Sequence, residues 1–277
     1  MNSPTIELIL SDIDGTILDE QHRIDQKLPQ TIQQLKKQEI PFILASARSP
    51  RGIFPLAEEL QLGDTPIACY NGALILEGNA TNYQTITEHA LQSNDVVLIL
   101  DVIKRNFPQV SISLYSGIEW FVDRTDKWTD IEAAITKDSP TVQDLQLFLL
   151  ENNQPIHKLL LIEESAIIQE LHKFLQKLPL NDTSFYLSKD NYLEVTSKEV
   201  SKEKALIDIA NYYQIPLAKT MTLGDNFNDI PMLELAGLGI VMQNAPQEVK
   251  NSADIETLSN NDYGVSYAIH KYVLAKK

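Results

Sequence analysis

Cysteine is almost absent: Cys69 is the single one among 277 residues. No intramolecular disulfide is available, which accords with a reducing compartment. Cys69 lies in the apolar run Ile67-Ala68-Cys69-Tyr70, a setting that predicts a buried thiol rather than a nucleophile. Basic residues are scarce as well, 23 Lys and Arg against 38 Asp and Glu, for a net charge of −15. That balance repels phosphate backbones and anionic lipid, so nucleic acid and membrane surfaces are poor partners. No apolar run approaches the ~20 residues of a membrane span. The first residues lack a basic start followed by a long apolar stretch, so no signal peptide is expected. A cytoplasmic protein is the resulting expectation. Also missing are a GxGxxG fingerprint, a P-loop and a GxSxG elbow, which argues against dinucleotide, P-loop nucleotide and serine-hydrolase chemistry. The five histidines show no metal-ligand spacing.

What is present is an alternation of short apolar runs and helical patterns. Residues 6–10 read as a strand ending at Ser11-Asp12, and a helix follows with Leu28, Ile32 and Leu35 at helical spacing. Residues 40–45 form a second strand, and Ser49-Pro50 reads as a helix start. Residues 67–70 form a third, ending in the turn dipeptide Asn71-Gly72. This order predicts parallel βαβ units. The middle differs. It offers a helix around Val96, Leu100 and Ile103, a hairpin across Ser116-Gly117, and a helix over 141–150. A strand at 158–162, an amphipathic helix over 165–178 and a hairpin across Lys189-Asp190-Asn191 follow. The alternating pattern returns after residue 200, with strands at 220–223 and 238–242 and helices at 202–213, 231–236 and 247–253.

Four stretches carry chemistry. Asp12-Ile13-Asp14-Gly15-Thr16 stands at a strand end, where doubly wound folds place their ligand crevice. Two carboxylates one residue apart, followed by glycine, can face one pocket as nucleophile and as general acid/base; the bland reading is an Asx-turn with a helix cap. Gly224-Asp225-Asn226-Phe227-Asn228-Asp229 repeats the arrangement with oxygen ligands suited to Mg²⁺, or else caps the next helix. Ser46, in Ala45-Ser46-Ala47-Arg48, offers a hydroxyl at a third strand end, where an ordinary N-cap is the plainer reading. Lys202 stands at a helix start, where an ammonium can clamp a phosphate or simply be solvated.

Taken in this order, the four stretches resemble the motif set of the haloacid dehalogenase (HAD) superfamily, and the chain is similar to its Cof-type branch, with a C2B-type cap between the second and third motifs. The flanks agree: residues 9–18 with the strand and DxDGT opening, Cys69-Tyr70-Asn71-Gly72-Ala73 with an NGA turn, residues 200–206 with the lysine motif, and residues 241–245 through Asn260 and Gly264-Val265 with the C-terminal segment. The resemblance implies a Rossmann-like doubly wound α/β core with an inserted α+β cap: core over 1–84, cap over 85–190, core again over 191–277. It implies a phosphomonoester hydrolase that uses Mg²⁺ and an aspartyl-phosphate, acting on a small phosphorylated metabolite such as a sugar phosphate or phosphorylated cofactor. Asp12 is then the nucleophile and Asp14 the general acid/base. Asp12, Asp225 and the Asp14 backbone carbonyl bind the metal, supported by Asn228 and Asp229. Ser46 and Lys202 hold phosphate, and Asn71, Gly72 and Asn244 contact phosphate or substrate.

Three positions depart from the usual pattern, Ala47, Glu203 and Gln243 standing where glycine is common. None removes a reacting group. A phosphomutase using the same aspartates and a non-catalytic binding protein of the same fold are the alternatives. Asp14 is expected in surroundings that favour its protonated form. Candidate cap contacts to a leaving group are Tyr115, Trp120, Arg124, Trp128 and Tyr186, for each of which core or surface packing is the plainer reading. Substrate identity and oligomeric state are not legible.

Overall fold

The computed structural model describes residues 5–275. Along the chain run β1 (Leu8–Ser11), α1 (Leu28–Lys36), β2 (Phe42–Ala45), α2 (Pro50–Glu59), β3 (Ile67–Cys69), β4 (Leu74–Asn79), β5 (Asn82–Glu88) and α3 (Ser93–Asn106). Then come β6 (Ser111–Ser116), β7 (Glu119–Val122), α4 (Lys127–Thr136), β8 (Thr141–Val142), α5 (Leu145–Glu151), β9 (Lys158–Ile162), α6 (Ser165–Leu175), β10 (Thr183–Lys189) and β11 (Tyr192–Ser197). The last stretch holds α7 (Lys202–Tyr212), β12 (Thr220–Gly224), α8 (Ile230–Leu235), β13 (Leu238–Val241), α9 (Gln247–Lys250), β14 (Ile255–Glu256) and α10 (Gly264–Ile269).

The chain divides into two compact units. One contains the residues up to Arg48, Ile53–Thr87 and those from Ser201 on. Its eight-stranded sheet has the order β14-β13-β12-β1-β2-β3-β4-β5. The strands from β14 to β3 are parallel, and β4 runs antiparallel to β3. β1 is central because Leu8, Ile9 and Leu10 are fully apolar and buried on both faces, as a parallel strand between helical layers requires. Leu8, Leu10, Ile43, Ala45 and Ala68 form one core cluster with Leu206, Ile209 and Met232 from the helices. Each such aliphatic side chain contributes about 1.5–3 kcal/mol on burial. Strand order turns at β1, flanked by β2 on one side and β12 on the other, so the carboxyl end of β1 opens at the switch point where such folds bind ligands.

The second unit contains Glu88–Val200 and Ser49–Gly52. Its six-stranded sheet has the order β10-β11-β9-β6-β7-β8 and is antiparallel except for the β7–β8 pair. Alternation sorts its faces. Leu114, Phe121, Leu159, Leu161, Leu193 and Val195 join Ile99, Ile103, Phe148, Ile168 and Leu171 of α3, α5 and α6 in one cluster. β11 is thus a strand of this sheet, paired with β9 and β10. It belongs with this unit and not with the second core part that the sequence reading begins at 191. The chain re-enters the first unit at Ser201.

Other differences have local causes. The helix expected over 141–150 starts at Leu145: Thr141 and Val142 pair with β7, and the Asp144 side chain accepts from Leu147 N–H as the N-cap. α4, unread in the sequence, is nucleated by Asp126, which makes a capping box with Thr129. Strands β4 and β5 are also additions; Gly78 at φ 116° and Asn79 turn the chain between them. Cys69 is buried, and burial pushes its thiol pKa well up. Among the described residues, no helix is long and apolar enough to cross a membrane.

Candidate active site

Strand ends in the first unit bring the sequence-predicted residues together. Carboxylate oxygens of Asp12, Asp225 and Asp229 lie within 4.8 Å of one another. Asp12 follows β1 and donates its N–H to Leu223 O of β12 at 2.9 Å, so the sheet ladder itself holds Asp12 beside the acidic loop. Lys202 opens α7, whose N-cap Ser201 accepts from Lys204 N–H. Its ammonium donates to Asp12 Oδ1, and to Asp229 Oδ1 at 2.6 Å, with only 1% of the side chain exposed.

Asp229 does not behave as a free ligand. Its second oxygen accepts the backbone N–H of Asp225 and of Asn226, each at 2.9 Å. Both oxygens are therefore committed, one to Lys202 and one to the turn that presents Asp225. Asp225 is fixed in turn by Thr16 Oγ1, which donates to Oδ1 at 3.0 Å, and by Asn244 Nδ2, at 3.4 Å from Oδ2. Asn244 also donates to Gly15 O at 2.8 Å.

The electrostatics are unbalanced. Three carboxylates face one ammonium, which leaves two negative charges in excess. Burial raises the Asp12 pKa well above the usual carboxylate range, Lys202 opposes this, and the charges of Asp229 and Asp225 add to it. Burial and the Asp229 charge push Asp225 up to about 6. Burial disfavours the Lys202 ammonium, but Asp12 and Asp229 override it and raise its pKa. Asp12 and Asp229, the latter tied down by two N–H donors, share the Lys202 ammonium, while Asp225 is held by the neutral donors of Thr16 and Asn244.

Asp14 stands apart from this cluster. It is about half exposed and is held by Arg48, whose Nε and Nη2 donate to its two oxygens at 2.8 and 2.6 Å. The sequence reading expects surroundings that favour the protonated form of Asp14; the structure gives it a bidentate cation instead. Arg48 is a functional candidate the sequence reading passed over, although it lies two residues beyond Ser46. Ser46 is buried, its carbonyl accepts Asn71 N–H at 2.7 Å, and its hydroxyl accepts Arg48 N–H at 3.3 Å. Asn71 Oδ1 accepts from Asn228 Nδ2 at 3.2 Å, linking the β3 and β12 loops. Gly72 faces inward: a Cβ there would lie 2.8 Å from Ala205 Cβ. That close approach lets α7 pack against the turn, at a position the sequence reading gives to phosphate or substrate. Of the departures, Ala47 and Glu203 are half-buried and Gln243 is exposed.

Gly15 has φ +79°, and a Cβ would meet Asp225 Oδ2 at 2.3 Å. Gly15→Ala is expected to cost about 1–3 kcal/mol of stability from backbone strain and to lower kcat by displacing Asp225. Thermal unfolding and steady-state kinetics on the one variant check both effects.

Of the five candidates for leaving-group contacts, Tyr115, Trp120, Arg124 and Trp128 make contacts within the second unit. Tyr115 stacks on Trp120 with centroids 5.9 Å apart. Arg124 donates to Pro108 O at 2.9 Å, and Trp128 Nε1 to Glu163 at 3.1 Å. Tyr186 is exposed on β10.

A family profile for haloacid dehalogenase-like hydrolases matches residues 9–269. A Haemophilus influenzae protein named "Putative phosphatase" is 32% identical over 95% of this chain and 97% of its own length. A Bacillus subtilis protein named 5-amino-6-(5-phospho-D-ribitylamino)uracil phosphatase YcsE is 24% identical over 97% of this chain and 96% of its own. Among solved structures, a haloacid dehalogenase-like hydrolase from Bacteroides thetaiotaomicron superposes with TM-score 0.86 at 27% identity, covering 96% of this chain and 99% of that one. The chain belongs to the haloacid dehalogenase-like hydrolase family, on its Cof-type branch. Its class is that of the phosphatases in this family.

Proposed function

We propose that the protein hydrolyses a small phosphomonoester with Mg²⁺ and an aspartyl-phosphate on Asp12. One observation carries this reading: a buried site with two uncompensated negative charges, in a protein whose class acts on anions. The donor set fits Mg²⁺, a hard cation that takes oxygen ligands and keeps several waters. Asp12 and Asp225 would hold it, with the Asp14 carbonyl, while Asp229 and Asn228 set the loop that presents Asp225. When bound, the ion supplies the positive charge that lets a phosphate dianion approach a carboxylate. At ~4 Å and an effective dielectric of ~20, each unscreened charge pair would repel by about 4 kcal/mol.

In the first step an Asp12 oxygen forms a bond to phosphorus in line with the departing oxygen. That P–O bond breaks, and Asp14 donates a proton to the leaving alkoxide. For this Asp14 must leave Arg48 and take up a proton, so the bidentate pair is a resting arrangement. In the second step water attacks phosphorus, its proton passes to Asp14, and the Asp12–phosphorus bond breaks to release inorganic phosphate. Lys202 neutralises charge throughout; the Ser46 hydroxyl, Asn71 and Asn244 orient phosphate or substrate. The ribityl phosphate in the name of the Bacillus subtilis relative supports a small metabolite with a phosphorylated polyol or sugar.

The test is release of inorganic phosphate from an aryl phosphate and from sugar phosphates while Mg²⁺ is titrated. Activity is expected to vanish on chelation and to return with Mg²⁺. Turnover unaffected by exhaustive chelation, or accumulation of an isomeric sugar phosphate in place of inorganic phosphate, defeats the reading.

A further inference from the structure

Three bonds tie the loop after Asp12 to the C-terminal segment. Asn260 Nδ2 donates to Leu18 O at 2.8 Å, Glu20 N–H donates to Asn261 Oδ1 at 3.2 Å, and Ser266 N–H donates to Asp25 Oδ2 at 3.1 Å. Only the first continues to the acidic cluster. The backbone N–H of Asn260 donates to Asn244 Oδ1 at 3.0 Å, and Asn244 Nδ2 reaches Gly15 O and Asp225 Oδ2. Asn244 is exposed, and without an acceptor contact its amide could turn freely. Asn260 supplies that contact and fixes which end of the Asn244 amide faces Asp225.

Asn260 itself is 7% exposed, and its Oδ1 is buried without a partner. An unpaired buried acceptor costs about 1–3 kcal/mol. The amide is held at this cost by its other end, the Nδ2 bond to Leu18 O. The amide orientation is set by the network, because the reverse flip would point Oδ1 at Leu18 O. Leu18 N–H is bonded to Ile13 O, which makes Leu18 the closing residue of the loop holding Asp14 and Gly15. The Asn260 side chain therefore braces that loop through Leu18 O while its backbone N–H holds Asn244, which reaches Gly15 O of the same loop.

We infer that Asn260 is a positioning residue for the divalent-cation site: anchored on Leu18 O, it orients Asn244 and through it Gly15 and the Asp225 carboxylate. The inference rests on the Mg²⁺ reading above. It separates from that reading because cation affinity is measured directly. The probe is Mg²⁺ alone, titrated calorimetrically into the full chain without substrate. Asn260→Ala is expected to raise the Mg²⁺ Kd about tenfold, the scale of lost outer contacts to a metal ligand. Its metal-free unfolding midpoint should stay within a few degrees. Asn261→Ala, which removes only the Glu20 contact, should leave the Mg²⁺ Kd within about twofold. Because Asn244 and Asn260 act in one chain, the double alanine variant should bind no more than about twofold more weakly than Asn244→Ala. If Asn260→Ala does not fold, Asn260→Leu carries the same expectation, since it fills the space and keeps the backbone but loses the donor to Leu18 O. An unchanged Mg²⁺ Kd in the Asn260 variants, or losses that multiply in the double variant, overturns this inference alone. A wild-type protein that takes up no Mg²⁺ overturns it together with the proposed function.

Discussion

Asp12→Asn is expected to lower kcat for phosphate release by about 10⁴-fold or more while leaving the fold intact. An amide oxygen is too weak a nucleophile to displace an alkoxide from phosphorus, and four decades correspond to about 5 kcal/mol of lost transition-state stabilisation. The fold should survive because Lys202 keeps its second partner, Asp229, at 2.6 Å. Removing one of three clustered carboxylates also relieves the burial penalty and, after it, the repulsion from Asp229 and Asp225 that raise the Asp12 pKa. The metal-free unfolding midpoint is therefore expected to hold or rise, and the stabilisation conferred by Mg²⁺ to shrink. Calorimetric scans with and without Mg²⁺, beside single-turnover kinetics, read both. Residual turnover within a hundredfold of wild type would remove Asp12 from the nucleophile's role.

Lys202→Met is expected to do damage of a different kind. The side chain is 1% exposed and is the cation shared by Asp12 and Asp229. A methionine fills the space, yet it leaves the carboxylates of Asp12, Asp225 and Asp229 close together with no positive charge. Breaking a buried pair in this way costs about 3–5 kcal/mol. Mg²⁺ should restore part of the loss, since it supplies the charge by another route. kcat should stay low even then, because no ammonium remains to meet charge on the phosphate. Lys202→Arg is not expected to rescue: a planar fork cannot replace a compact ammonium lodged between two carboxylates. Urea unfolding at several Mg²⁺ concentrations checks the ordering. Stability equal to wild type without metal would show that the site is not short of cations.

These outcomes separate what local sequence conveys from what only the fold supplies. Asp12, Ser46, Asn71 and Asp225 follow strands whose apolar runs are plain in the sequence, and strand ends in a parallel sheet converge on one edge. Their proximity follows from topology. The duties of Asp229 and Asn244 follow from hydrogen bonds that no spacing encodes: Asp229 spends both oxygens on Lys202 and its own turn. Arg48 was invisible as the partner of Asp14 because 34 residues and a strand separate them. In the second unit α4 escaped notice because Lys127-Trp128-Thr129-Asp130 reads as polar; its capping box was the signal present in the sequence. The entry of β11 into the second sheet, which moves the boundary from 191 to Ser201, depends on pairing with β9 rather than on composition.

The strand order also dictates a timetable for synthesis. β1 lies between β2 and β12, but β12 is translated some two hundred residues later. Until Thr220–Gly224 leaves the ribosome, one edge of the buried strand β1 has no neighbour, a state prone to wrong pairing. Glu88–Val200, by contrast, emerges as one uninterrupted stretch. The second unit can complete its sheet first, while the first unit waits for the far end of its own chain.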